Sequence, residues 1–170
     1  MSNTLLRRAE ADDFDFYYDL KCEPDNIYWC GHSEKPEREM LRKWFNGALG
    51  RTDRDILIYV VGGARVGYAY VDKSDDSFET SVAVSKKFEG RGYGTGIVRE
   101  ALEYIKKNYE IEKVCAWVLE KNAASVRIHE NAGYLKTGVT KTKPLGAGGD
   151  ETMLEFRAAI DRRDTLHGRE

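Results

Sequence analysis

Val82-Ala83-Val84-Ser85-Lys86-Lys87-Phe88-Glu89-Gly90-Arg91-Gly92-Tyr93-Gly94-Thr95-Gly96-Ile97-Val98 reads as an apolar strand, a turn with glycine at every second position, and the start of a helix. Without Cβ atoms, Gly90, Gly92, Gly94 and Gly96 let the chain turn tightly and let its backbone approach a ligand. A helix beginning near Thr95 leaves its first amides unpaired and points its positive dipole end at the turn. That combination binds phosphate groups. The stretch predicts a site for a pyrophosphate-containing ligand.

Upstream, residues 55–61 and 65–73 read as strands joined by Gly62-Gly63, a hairpin signal, and 77–85 as a third antiparallel strand. Downstream come a helix over 97–107, a strand over 113–119, a helix over 122–131 and a last strand pair, 134–141 and 152–157, around the glycine-rich 145–149. The helix at 97–107 carries Ile97, Val98, Ala101, Leu102 and Ile105 on one stripe. Ahead of the hairpin lie a strand at 4–8 and a helix over 12–21. Residues 22–36 read as irregular, broken by Pro24, Gly31 and Pro36. A helix over 37–49 then places Met40, Leu41, Trp44, Phe45 and Ala48 on one face. A single helix between the strands 77–85 and 113–119 makes a crossover, and hence a parallel pair. The expected fold is α/β (α+β): a mostly antiparallel sheet with one parallel pair, flanked by helices. One domain is expected over 1–160, followed by a charged tail over 161–170.

Lys and Arg number 27 against 29 Asp and Glu in 170 residues, a net charge of −2. That is not the basic footprint of a nucleic-acid binder. The apolar run 56–61 is too short to cross a bilayer, so no membrane partner is expected. The first residues are not a signal-type apolar block. Three cysteines make no even disulfide framework, which predicts a reduced, cytoplasmic protein. Cys22, Cys30 and His32 lack a fourth ligand, so no metal is expected.

Two phosphate motifs fail at the glycine turn. The nucleoside-triphosphate loop needs a lysine after its last glycine, and none follows Gly94 or Gly96. The dinucleotide fingerprint needs a third glycine where Thr95 or Ile97 stands. Arg91-Gly92-Tyr93-Gly94-Thr95-Gly96 instead resembles Arg/Gln-x-x-Gly-x-Gly/Ala, the coenzyme A signature of the GNAT superfamily of acyl-CoA-dependent N-acyltransferases. Residues 79–85 resemble the family strand that precedes it. The stretch 122–134 resembles the second family motif, Asn-x-x-Ser followed by a helix and Gly-Phe/Tyr. Its ending is similar to the branch that acetylates ribosomal-protein N-termini.

The resemblance implies acetyl-CoA as co-substrate and a primary amine as acceptor: a protein N-terminus, an amino sugar or a small molecule. Acyl-pantetheine would insert where two strands splay at a bulge and pair with Val82, Ala83 and Val84. Arg91, Gly92, Tyr93, Gly94, Thr95 and Gly96 would bind the pyrophosphate. Asn122 would reach the pantetheine arm, or serve only to cap its helix. Glu79, on the strand feeding the loop, is the candidate general base, with a solvated carboxylate as its alternative. His129 stands where many members carry a tyrosine that protonates the leaving thiolate, and a histidine can give a proton there. Tyr28, Trp29 and His32 are the candidate acceptor-binding residues. Direct transfer in a ternary complex is expected, because no cysteine is placed for a covalent intermediate. A homodimer is left open, as are a non-catalytic acyl-CoA sensor and a nucleotide-phosphate binding module.

Overall fold

The computed structural model describes residues 3–111, 113–145 and 148–159. In chain order these form β1 (Thr4–Arg8), α1 (Phe14–Lys21), α2 (Pro24–Cys30), α3 (Arg38–Ala48), β2 (Arg54–Val61), β3 (Ala64–Lys73) and β4 (Phe78–Val84). Then come α4 (Tyr93–Asn108), β5 (Val114–Leu119), α5 (Ala123–Asn131), β6 (Tyr134–Pro144) and β7 (Asp150–Ala158). The strands make one sheet, ordered β1-β2-β3-β4-β5-β7-β6. Neighbours run antiparallel except β4 and β5, which are parallel. This is the expected mixed α/β sheet with its single parallel junction. The tail 161–170 and Gly146-Ala147 lie outside the described residues.

Both faces of the sheet are covered, which explains the uninterrupted apolar run in β2. Leu57 and Tyr59 face α4 and α5 with Val66, Ala69, Val71 and the stripe Ile97, Val98, Ala101, Leu102 and Ile105. Ile56 and Ile58 face α1 and α3 with Phe14, Tyr17, Leu20, Phe45, Tyr68 and Tyr70. Gly62 and Gly63 have φ of 56° and 83°, the left-handed pair that a two-residue hairpin requires.

Three expectations change. Residues 24–30 are helical: Pro24 is a first-turn residue, where its missing N–H costs nothing, and Gly31 closes the helix at φ 82°. The punctuation that suggested a broken segment is a start and a stop. Helix α4 begins at Tyr93, with Gly92 as its cap, so half of the glycine turn is already helix. On α3, Phe45 and Ala48 are buried, while Met40 and Trp44 remain exposed at 73% and 37%. The apolar face of α3 is therefore split between a core and an open cavity.

Candidate active site

Strands β4 and β5 pair only at Phe78–Val114 and Glu79–Cys115 and then part. Against β3, by contrast, β4 keeps an unbroken register from Phe78 to Val84. The fork therefore opens by departure of β5, and β4 has no bulge there, contrary to expectation. Ser81 is exposed although it lies mid-strand in the central strand of the sheet. Backbone groups alternate sides along a strand. The Phe78 amide bonds toward β5, at Lys113 O, and the Ser85 amide toward β3, at Val66 O. Val82 and Val84 thus turn their backbone groups into the fork. Ala83 pairs with Tyr68 of β3, and its own carbonyl is the atom nearest to Gly67, so its backbone is not available.

The fork leads directly to the glycine turn. Gly90 and Gly92 have φ of 73° and 80°, and a Cβ on either would meet nothing within 4 Å. Their role is backbone shape. Gly94 and Gly96 differ: a Cβ would come within 2.5 Å of Ile128 Cδ1 and 2.7 Å of the Tyr59 hydroxyl, respectively. Those two glycines let α4 pack against α5 and β2. The first helical bond recorded at this end runs from the Gly96 amide to Gly92 O, at 3.2 Å. Among the described residues no carbonyl accepts from the amides of residues 91–95. These free amides sit at the dipole end of a 16-residue helix, a cradle for anionic oxygens. Arg91 is exposed, with its guanidinium 5.7 Å from the Phe88 ring.

Asn122 caps α5: its Oδ1 accepts from the Ser125 amide at 3.1 Å. Its amide nitrogen has no recorded partner among the described residues. His129 is buried on the same helix, 3% exposed. Its Nδ1 lies 2.8 Å from the Ser125 carbonyl. A carbonyl only accepts, so the Nδ1 position carries the proton and neutral Nε2 offers a lone pair. Burial lowers the pKa of this ring, and the Ser125 bond opposes that only in part. As folded, the ring has no proton at Nε2 to give a thiolate until it is charged. The Tyr134 ring meets His129 edge-on at 5.6 Å. Thr80 Oγ1, His129 Nε2 and Tyr134 OH are all buried without a hydrogen-bond partner among the described residues. Burial pushes the Tyr134 phenol up to about 12. The Thr80 hydroxyl is near enough to pull it slightly down, yet it forms no bond of good geometry. Thr80 is the first β4 residue past the last pair with β5. Orphaned polar atoms of this kind cost about 1–3 kcal/mol each when nothing meets them.

On the opposite face of the fork, Glu79, Ser81 and Ala83 look toward α1–α3. Glu79 lies beside Asp72 on β3 and Cys115 on β5. No hydrogen bond or ion pair of its carboxylate is recorded among the described residues. Burial, then Glu79 and Glu155, push the Cys115 thiol up. Helix α2 straps across this side. At one end the Glu23 carboxylate accepts from Ser85 Oγ at 2.7 Å and the Lys86 amide at 3.0 Å. At the other, Lys143 Nζ donates to Cys30 O at 3.2 Å and Gly31 packs near Leu145.

A cavity of about 540 Å³ lies beside the strap, lined among others by Tyr17, Lys21, His32, Trp44, Arg54 and Tyr70. Of the three expected acceptor residues, only His32 lines it. Tyr28, 51% exposed, stacks edge-on against Trp29 at 4.7 Å and is near enough for the Lys121 ammonium to feel it. Sequence reasoning missed Tyr17, Lys21, Trp44 and Tyr70. The signal was the tyrosine pair at 68 and 70, whose alternation puts both on one face of β3.

The acetyltransferase (GNAT) domain family model matches residues 3–135. An uncharacterised N-acetyltransferase of Methanocaldococcus jannaschii is 23% identical over 148 residues, 80% of this chain; the chain spans 62% of that relative's length. The crystal structure of spermidine N-acetyltransferase from Vibrio cholerae, in complex with CoA and spermine, superposes with a TM-score of 0.84 at 15% identity, covering 96% of this chain and 98% of that one. The aminoglycoside acetyltransferase AAC(6')-Ib in complex with coenzyme A gives 0.77 at 19% identity, covering 99% and 100%. Among the described residues no helix is long and apolar enough to cross a membrane.

Proposed function

The chain belongs to the GNAT acetyltransferase family, and from that premise we propose that it transfers an acetyl group from acetyl-CoA directly to a primary amine. The observation that carries this reading is the fork. Paired only at its closed end, it bares the Val82 and Val84 backbone and runs straight into the unpaired amides of residues 91–95. A flat acylated arm fits between β4 and β5 as an added strand would, with its pyrophosphate on the helix terminus. The orphaned Thr80, His129 and Tyr134 atoms at the closed end fit a polar group arriving there. The names of the relatives, N-acetyltransferases of spermidine and of aminoglycosides among them, agree with an amine acceptor.

In this reading Glu79, unpaired beside the opening, takes the proton from the acceptor ammonium. The neutral amine attacks the thioester carbonyl, the C–S bond breaks, coenzyme A leaves as thiolate, and the second proton of the attacking nitrogen passes to that thiolate or to water. Coenzyme A is a good leaving group, so alignment in the fork supplies much of the rate. Asn122 offers its free amide nitrogen to the pantetheine arm, and Arg91 its guanidinium to the phosphates. Cys115 stays a protonated thiol at neutral pH, which favours direct transfer over an acyl-cysteine. His129 contributes only when charged: Nε2 must take up a proton before passing it to the thiolate.

Thiol release from acetyl-CoA, run across amines, tests the reading, with thermal shift by coenzyme A as a binding control. Stabilisation by coenzyme A and not by ATP or NAD is expected. Glu79→Gln should lower kcat about 100-fold while leaving the coenzyme A thermal shift in place. His129→Ala should differ from wild type only at acid pH, below the ordinary histidine value of 6.5, and match it at pH near 8. No binding of any coenzyme A thioester would refute the proposal.

A further inference from the structure

We propose that the acceptor carries an anionic group, a carboxylate or a phosphate, as well as its reacting amine, and that Lys21 holds that anion. This rests on the transferase reading above and narrows its substrate class.

The cavity between α1, α3 and β3 is lined by two cations and two carboxylates: Lys21, Arg54, Glu34 and Glu37. Three of the four have another occupation or position. Arg54 Nη2 donates to Asp72 Oδ2 at 2.9 Å, a second donor of the same guanidinium meets the other carboxylate oxygen, and the group lies 4.8 Å from the Tyr70 ring. The Glu37 carboxylate accepts from the Glu39 and Met40 amides, at 3.0 and 2.7 Å, and caps α3. Glu34 is exposed at the rim.

Lys21 is the remaining charge. It is half-buried at the end of α1, and no carboxylate reaches ion-pair distance of its ammonium among the described residues. Its neighbours are Cys30 Sγ at 3.9 Å, and the faces of Tyr17, Tyr68 and Tyr70 at 5.7, 5.0 and 5.4 Å. Burial raises all three phenols, so none supplies a phenolate. Aromatic faces hold a cation in place without neutralising it. A fixed, half-desolvated ammonium on a cavity wall is a binding point for an anion.

Its position completes the argument. Tyr68 pairs with Ala83 and Tyr70 with Ser81, so Lys21 lies over the β4 end nearer the glycine turn. At the other end of the same face stands Glu79, also unpaired. Glu79 and Ala83 are four residues apart along the strand, about 13 Å. Lys21 thus offers an ammonium for an anion on the cavity wall, while Glu79, which does not line the cavity, stands farther along the same face of the sheet. Tyr17, Trp44 and Met40 make the cavity wall largely apolar. A polycation would set like charge against Lys21. An amino acid, a peptide ending in a carboxylate or a phosphorylated amine would set its anion against Lys21 and leave its amine for Glu79.

Matched amines test this: tryptophan against tryptamine, a carboxylate-terminated dipeptide against its C-terminal amide, and phosphoethanolamine against ethanolamine, with spermidine as the polycation. Thiol release is measured with wild type, Lys21→Arg, Lys21→Met and Lys21→Glu. In at least one pair the anionic member should be preferred in kcat/KM by about tenfold or more, and which pair responds separates carboxylate from phosphate. Lys21→Arg should retain the preference. Lys21→Met should abolish it through KM of the anionic member, and Lys21→Glu should reverse it. Preference for the uncharged mates or spermidine, or a ratio unmoved in Lys21→Met, overturns the inference while leaving the transferase intact. Absence of thiol release with every amine overturns both. The coenzyme A thermal shift of each variant reports that it has folded.

Discussion

On one side of the β4 fork the groups on offer are backbone groups, and they come from one stretch, residues 82–96. On the other side they are side chains, and they come from everywhere: Tyr17 and Lys21 from α1, Trp44 from α3, Tyr70 from β3. The first site depends on shape that glycine and strand pairing impose. The second depends on how three helices settle on a sheet. The aromatic side chains there form their own mosaic, with Tyr17 against Phe45 at 4.8 Å and Tyr68 against Tyr70 at 4.8 Å. A backbone site tolerates almost any side chain but few changes of conformation. A side-chain site should show the reverse tolerance.

The sharpest way to break that contrast is Gly67→Ala. A Cβ there would lie 2.3 Å from the Ala83 carbonyl oxygen and 2.7 Å from Ile97 Cδ1. The first is backbone in β4 and cannot move without carrying the open edge with it. The expected loss is about 3 kcal/mol of unfolding free energy in urea, at the upper end for overpacking. The coenzyme A thermal shift should go with it. A variant that is destabilised but keeps its coenzyme A response would show that the fork does not depend on the β3–β4 pairing.

The side-chain face has its own anchor, and it responds to acid. Asp13 sits at the start of α1 and receives Arg7 at 2.7 and 2.8 Å and Arg65 at 2.6 Å. Burial alone would raise its pKa; the bonds from Arg7, the Glu10 amide and Arg65 outweigh it and hold the carboxyl at about 2, from 3.8. A depressed folded pKa stabilises above the unfolded value and is lost as pH falls through the folded one. The advantage of wild type over Asp13→Asn in unfolding free energy should therefore shrink by about 2 kcal/mol between about pH 5 and pH 2. At neutral pH, Asp13→Asn should still show the coenzyme A shift, because the fork is built from other elements. Loss of that shift would mean that the two sides are one cooperative unit.

Much of this division was visible before any coordinates. The order of elements along the chain, the hairpin at Gly62-Gly63, the parallel junction and the glycine turn have local causes: alternation, left-handed turn residues, a helix directly behind. Helix α2 was misread because Pro24 and Gly31 have opposite meanings at the two ends of a helix and look alike in a string. The residues lining the cavity were mostly missed because Tyr17, Lys21 and Tyr70 become neighbours only through packing. The glycines were read as one group, although packing divides them. Gly92→Ala places a Cβ in open space but at φ 80°. It should cost about 1–2 kcal/mol in backbone strain and weaken coenzyme A binding. Gly94→Ala meets the movable end of Ile128. It should cost about 1 kcal/mol in overpacking with a smaller effect on binding. Equal effects on coenzyme A from both would erase the distinction.

The smallest expected effect falls on the residue that belongs to both categories. Asn122 uses its oxygen for the fold, capping α5 at Ser125, and in the proposed complex its nitrogen for the ligand. Serine can replace the oxygen but has no amide nitrogen to extend toward the pantetheine arm. Asn122→Ala should lower stability by about 1 kcal/mol, the usual cost of a lost N-cap, and raise KM for acetyl-CoA. Asn122→Ser should recover most of the stability while KM stays raised. If serine restores both, Asn122 is a cap alone, and the donor side is held by backbone without any help from a side chain at this position.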